Sequence, residues 1–186
     1  MLQPGDLPAD WRAVGPPARD TGMMTTFRTC LGTQVDPGAR LAVTASPTYV
    51  DAAGDWLASV VSSFRSPQRI ADDTALLSDA RAPDCFTRAL VGGLHRSPSP
   101  GVEWGRPDVV LTPGSAGGPA NLVATVTATV PMTTPTGERQ TAFLQYYFLA
   151  GRSTEAVVSF GSIEAPLADV LRSRAVEAVA ERVAAL

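Results

Sequence analysis

An α+β fold is predicted for this chain of 186 residues, an antiparallel sheet packed in two layers with two or three helices. Three observations predict it. The C-terminal third carries three successive segments with period-two alternation, as half-buried antiparallel strands do. Elsewhere, apolar residues recur at i, i+3, i+4 and i+7, the helical period. The length suits one domain with a core of its own, and neither half holds a complete set of elements, so residues 1–186 read as a single domain.

Residues 1–23 carry four prolines and three glycines and read as an extended Pro-rich N-terminal segment, with Leu7 and Trp11 as its anchors. Leu41–Ala45 reads as a strand. Ser46 then offers an N-cap and Pro47 a first helical position. Tyr49, Ala52, Ala53, Trp56, Leu57, Val60, Val61 and Phe64 follow as an apolar stripe, so a helix is expected up to Ser66-Pro67. Trp56 invites a ligand-stacking reading, but its place in that stripe makes it core. A shorter helix is expected from Pro83 to Gly92-Gly93, with Cys85, Phe86, Ala89 and Leu90 inward. Ser97–Gly101 is a connector, Val102–Leu111 a strand and Thr112–Ala120 a loop. Leu122–Val130, Arg139–Ala150 and Thr154–Ile163 form a meander whose hairpins turn near Thr134-Pro135 and at Gly151-Arg152, the latter as a type II′ turn. Pro166 opens a last helix, with Leu171, Ala175, Val176, Val179, Val183 and Leu186 inward and Arg174, Glu177 and Glu181 toward solvent.

Strand parity separates the two faces of the meander. Leu122, Ala124, Val126, Ala128, Val130, Ala142, Leu144, Tyr146 and Val157 make one apolar face with many small side chains, suited to helix packing. Thr125, Thr127, Thr129, Thr141, Phe143, Gln145, Tyr147, Val158 and Phe160 make the other, which is half polar and half aromatic. A surface of that kind meets something, and the ligand-binding candidates are Phe143, Tyr147 and Phe160 with Thr125, Thr127 and Gln145.

Composition excludes several classes. The net charge is −3, and the arginines are scattered singly, which argues against binding a nucleic-acid backbone. Lysine is absent, so a Gly-x-x-x-x-Gly-Lys phosphate loop cannot exist. No run of 18 apolar residues offers a transmembrane segment. Gly and Pro number 16 each, which implies many turns. The bias to Ala, Val, Gly, Pro, Arg and Thr suits a high-GC bacterium such as an actinobacterium. The start, Met1-Leu2-Gln3-Pro4-Gly5-Asp6, is not a signal peptide. Its Pro-rich, polar character suits a mature envelope protein, so an extracytoplasmic location is expected, secreted or lipid-anchored, with the leader outside this chain.

Reaction centres are harder to find. Cys30 and Cys85 are the two cysteines, too few for a four-cysteine zinc site and too far apart for a Cys-x-x-Cys redox motif. A long-range disulfide or two buried thiols remain, and the disulfide is the expectation for an exported chain. His95 follows Gly92-Gly93-Leu94 at a helix end, where the helix dipole favours it. Pro113-Gly114-Ser115-Ala116-Gly117 holds part of a nucleophile-elbow pattern, but Pro113 replaces the first Gly and no strand-turn-helix context surrounds it. Asp72-Asp73 lacks the alternating oxygen ligands of a calcium loop and reads as a solvated turn. Glu155 and Glu164 bracket one strand, a weak hint of paired-carboxylate hydrolysis.

Gly5-Asp6-Leu7-Pro8-Ala9-Asp10-Trp11, Thr29-Cys30-Leu31-Gly32, the strand-plus-helix Val43–Phe64, Ala82-Pro83-Asp84-Cys85-Phe86 and the ending Val157–Leu186 occur in an order that resembles one family. This is the family of actinobacterial secreted lipoproteins and extracellular kinase-sensor domains with a PsbP-like fold. The resemblance implies an envelope-exposed domain, a disulfide between the matching cysteines, and a cleft for a small molecule or cell-wall component, without catalysis. The expected function is therefore a non-catalytic ligand-binding or sensor domain of the bacterial cell envelope. Its partner would be a small molecule, a cell-wall component or a protein, with no nucleic acid, metal or cofactor. The alternatives are a protein-binding assembly module and a hydrolase using dispersed carboxylates.

Overall fold

The three period-two segments form the meander that their alternation predicts. In the computed structural model, which describes residues 1–15, 22–33, 39–96, 100–114 and 121–186, they are β7 (Leu122–Thr133), β8 (Arg139–Ala150) and β9 (Thr154–Ile163). To keep chain order, the strands before them are β1 (Arg12–Val14), β2 (Arg40–Ala45), β3 (Thr48–Val50), β4 (Trp56–Phe64), β5 (Glu103–Trp104) and β6 (Asp108–Pro113). All join one antiparallel sheet in the order β1-β3-β4-β9-β8-β7-β5, with β2 also beside β4 and β6 also beside β7. The helices are α1 (Met23–Cys30), α2 (Pro67–Leu77), α3 (Ala82–Arg96) and α4 (Asp169–Ala184). The α+β class with an antiparallel sheet stands, and none of the described helices is long and apolar enough to cross a membrane.

Each face of the sheet builds its own helix-on-sheet core. On one, Ala124, Val126, Ala128, Val130, Ala142, Leu144 and Tyr146 pack with Phe27 of α1, Leu77 of α2 and Phe86 of α3. Phe86 is the hub, meeting Phe27, Tyr146 and Phe148 edge-to-face at 5.8, 5.4 and 6.1 Å. On the other, Ala175, Val176, Val179, Ala180 and Val183 of α4 pack with Leu57, Val158 and Phe160, joined by Leu2 and Leu7 from the N-terminal segment. Leu122 sides with this second core rather than the first, because the β7–β8 register shifts between Leu122 and Ala124. A one-residue slip sends a side chain to the opposite face. Leu186, expected inward, is 71% exposed beyond the end of α4.

The largest correction concerns residues 46–64, which form a hairpin where a helix was expected. Ser46 does not cap a helix. Its amide donates to the Ser59 carbonyl at 2.8 Å and its hydroxyl accepts from the Ser59 amide at 2.9 Å, so it bends the chain from β2 into β3 while staying paired with β4. Asp51 then makes the turn, its Oδ1 accepting from the amides of Ala53 and Asp55, with Gly54 at φ +88°. The helical stripe was coincidental. Leu57, Ala58, Ser59, Val61, Ser62 and Phe64 are all buried, because β4 is central and covered on both faces. A strand apolar on both faces loses its period-two signature.

Two helices had no counterpart in the sequence reading. Ser66-Pro67, expected to end a helix, starts α2: the Ser66 hydroxyl accepts from the Gln68 amide at 3.2 Å and Pro67 takes a first-turn position. Met23–Cys30, read within and just beyond the extended segment, is α1. Smaller shifts follow the same logic of local competition. Helix α3 runs through Gly92-Gly93 to Arg96. The strand expected over 102–111 is interrupted at Gly105, whose amide donates to the Pro131 carbonyl at 2.7 Å, and at Pro107, which has no amide proton to donate. The second hairpin is centred on Arg152-Ser153, because the Gly151 amide bonds the Thr154 carbonyl. No described residue there has positive φ, so the turn is not type II′. Gly151 is needed for close approach instead, since a Cβ would sit 2.8 Å from the Val183 carbonyl oxygen. Ser97–Ser99 and Ser115–Ala120, including most of the suspected elbow, lie outside the described residues.

Candidate functional site

Helices α1 and α2 lean over β4, β9 and β8 and leave a cavity of about 250 Å³ between helices and sheet. Its shape follows from side-chain size. Even-numbered positions of β4 and odd-numbered positions of β9 face it, and Ala58 and Ser159, which pair across those strands, are too small to fill the floor. Trp56 forms one wall. Its indole lies over Gly161, its register partner, where an added Cβ would come within 2.2 Å of Nε1. Trp56 is thus half-buried at a cavity wall on a strand, not an inward residue of a helical stripe. Val157, Phe148, Tyr146, Met23 and Met24 complete an apolar lining. Burial pushes the Tyr146 phenol well above its usual range, so it lines the site as a neutral group.

One end of the cavity is charged. Arg28 from α1, Asp73 from α2 and Glu155 from β9 converge there, with Arg40 of β2 also on the lining. The Arg28 guanidinium pairs through Nη2 with Asp73 Oδ2 and lies 3.7 Å from Glu155 Oε1. Arg69, one turn before Asp73 on α2, adds a contact from Nε to the same Oδ2 at 3.2 Å. The Arg28 and Asp73 side chains are only 4% and 9% exposed. Burial pulls Arg28 below its usual value, against the pull of Asp73, yet a guanidinium remains charged. Glu155 is pushed up to about 7, first by burial, then by the neighbouring Asp73 carboxylate, with Arg28 opposing. The pairing is incomplete. Arg28 Nε and Asp73 Oδ1 are buried without a hydrogen-bond partner. A buried polar atom left so costs roughly 1–3 kcal/mol, more when charged, so the cluster holds two strong unmet hydrogen-bonding demands.

These residues were legible only in part. Arg28 falls in the run Met24, Phe27, Arg28, Leu31, and Asp73 in the run Ile70, Asp73, Leu77, both at helical spacing. A charge on an apolar stripe is the signature of a buried pair. Reading Asp72-Asp73 as a solvated turn missed it. Asp72 does face solvent, accepting from Gln68 Nε2 at 2.9 Å, but Asp73 points inward. Glu155 joins the site, while Glu164 ends β9 exposed at φ +70°.

The six residues expected to bind a ligand lie on the opposite face of the sheet. Phe160 is 1% exposed beneath α4, with Tyr147 edge-to-face on it at 5.5 Å. Arg172 of α4 donates to Gln145 Oε1 at 2.9 Å and to the Tyr147 hydroxyl at 3.1 Å. This end of the mixed face is therefore a second core, because the amphipathic α4 buries its own apolar stripe there. Thr125, Thr127 and Phe143 remain half-buried. His95 stands exposed in the last turn of α3. Cys30 and Cys85 form a disulfide, Cα–Cα 5.5 Å, tying the end of α1 to the start of α3. Among the described residues no cluster of three or more His, Cys, Asp or Glu side chains could hold a metal.

No protein-family model matches the chain, and no curated protein matches it in sequence. Among solved structures, the chain is similar to the extracellular domain of PknH from Mycobacterium tuberculosis, with 11% identity and a TM-score of 0.36, over 92% of this chain and 99% of that one.

Proposed function

We propose that this protein is a non-catalytic ligand-binding domain of the cell envelope, of the kind that serves sensing, and that the cavity under α1 and α2 is its binding site. One observation carries the reading: an apolar cavity closed at one end by buried charges with unmet hydrogen bonds. A mostly apolar pocket with a few convergent polar groups is the general form of a small-molecule site. The extracytoplasmic placement is supported by the Cys30–Cys85 disulfide, a bond that persists in oxidising compartments. That bond also fixes α1, the element carrying Arg28, Met23 and Met24 into the cavity wall.

Hydrolysis is the rival, since Glu155 raised to about 7 beside Asp73 has the form of an acid–base pair. Binding is preferred because Asp73 is already held by Arg28 and Arg69, which leaves Glu155 without a second free carboxylate to complete an acid–base pair.

Toluene, observed through the ε-methyl NMR signals of Met23 and Met24, tests the site. Saturable shifts are expected in the native protein and their loss in Val157→Phe, which fills the cavity. Absence of shifts, or shifts that persist in that variant, would overturn the reading.

A further inference from the structure

The register of the sheet gives the cavity a long axis. Its floor runs along β4 from Trp56 to Ser62, with Ser159, Val157 and Glu155 of β9 paired alongside. At about 3.4 Å per residue that run is roughly 20 Å. A dry apolar cavity of about 150 Å³ holds benzene, so 250 Å³ suits about ten carbon atoms. Spread over such a length, that volume makes a shallow trough under α1 and α2, too thin for a compact cage of the same carbon count.

The two ends of the trough differ. At one, Val43, Ser62 and Glu155 form a row across β2, β4 and β9. Water reaches this row, since Val43 is 46% exposed and the Glu155 side chain 24%. At the other end stands the Trp56 indole, lying over Gly161. The charges belong to the first end and are turned on one another: Arg28, Arg69 and Glu155 all meet Asp73, with Arg40 beside them. Arg28 Nε and Asp73 Oδ1 are buried inside that cluster, and neither reaches the cavity surface. Between the ends a ligand meets mainly Val60, Val157 and Phe148, with Met23 and Met24 of α1 above them.

A polar head at the Trp56 end would lose its water without gaining a partner. At the Glu155 end it keeps its water. The floor also twists, because adjacent strands turn by roughly 20–25°. A rigid flat ring system laid across β4, β9 and β8 would touch such a floor only at points, whereas a flexible chain lying along a strand follows it. Methionines, unbranched and adaptable, suit a chain as roof.

We infer that the trough receives one straight acyl or alkyl chain, its terminal methyl against Trp56 and its head in water beside Val43 and Glu155. The inference rests on the cavity being the ligand site and adds the class of ligand and its direction.

Carboxylates that share one head test it, titrated calorimetrically into the native disulfide-bonded protein: octanoate, decanoate, adamantane carboxylate and anthracene carboxylate. Decanoate should bind about tenfold more tightly than octanoate, because it buries two more methylenes. It should bind at least tenfold more tightly than the cage or the flat rings, and its binding should be lost in Val157→Phe. Bromine quenches an indole that it touches. Bromine at the terminal carbon of decanoate should therefore dim the Trp56 emission, read against Trp56→Phe, and bromine next to the carboxylate should not. Equal or tighter binding of either ring compound would overturn the chain, and equal or stronger quenching by the bromine next to the carboxylate would overturn its direction. Monodecanoylglycerol separates the sources: binding tighter than decanoate points to the chain of a neutral lipid and weaker binding to a free fatty acid, either order supporting the chain. Failure of every chain while toluene still enters would overturn this inference alone, whereas failure of toluene as well would overturn the site itself.

Discussion

Glu155 makes the cluster sensitive to pH, and the sign can be worked out. In the folded protein its carboxyl is pushed up to about 7, from an ordinary value of 4.5, so the native state holds the proton more tightly than the unfolded chain does. The stability this contributes is complete below about pH 4.5 and is lost as pH rises through about 7. Above that, two carboxylates share Arg28 at the end of an apolar cavity. Urea unfolding of the native protein should therefore weaken between pH 5 and pH 8 by on the order of 1–3 kcal/mol relative to Glu155→Gln, which keeps the shape and cannot ionise. Parallel pH profiles for the two proteins would show that Glu155 is not the source. Residues of this kind announce themselves weakly. Arg28 and Asp73 stand on apolar stripes, so their burial could be read from spacing, but that they meet each other and Glu155 depends on three elements far apart in the chain.

At the scale of elements, α1 packs chiefly on α3, with Arg28 as its tie to α2. It is eight residues long, too short to persist alone, and Phe27, Leu31 and the disulfide anchor it. Closing a loop of 55 residues is worth about 4 kcal/mol through the unfolded state. The double variant Cys30→Ala, Cys85→Ala should lose about that amount in urea unfolding, and reduction of the native protein should match it. A loss under 1 kcal/mol would mean that packing alone holds α1. The elements legible in sequence were those that keep one clear period: the meander, α3 and α4. β4 was misread because apolar residues fill both of its faces, and α2 because Ser66-Pro67 serves equally as the end of one element and the cap of the next.

Across the whole molecule, the N-terminal segment closes the second core. Leu2 and Leu7 are buried there, and the Leu2 amide donates to Ser59 Oγ at 2.7 Å. Arg182 of α4 holds Asp6 with two bonds of 2.7 Å and also reaches the Met1 carbonyl at 3.0 Å. The Arg182 side chain is 34% exposed and Asp6 10%, so this is a charge-assisted clamp at the rim of a core. Arg182→Ala should speed amide exchange at Leu2, Gln3, Asp6 and Leu7 by roughly tenfold while leaving the amides of α2 unchanged. Uniform acceleration everywhere would instead show that the clamp governs global stability. The two cores lie on opposite faces of one sheet, and the cavity lies on the face that α1 and α2 cover.

The sequence by itself determined what depends on neighbours along the chain. Strand parity from Ala124 to Ile163 set the two faces of the meander, the stripe from Ala175 to Val183 set the buried side of α4, and an isolated cysteine pair pointed to the disulfide. Tertiary structure decided what depends on which face is covered. It assigned the aromatic face of Phe160 and Tyr147 to α4, because that helix has an apolar stripe and needs a partner for it. It put Ala58 and Ser159 where no helix fills the space above them. It brought Arg28, Asp73 and Glu155 to one end of that space, and burial and proximity, which no local pattern encodes, gave them their chemistry.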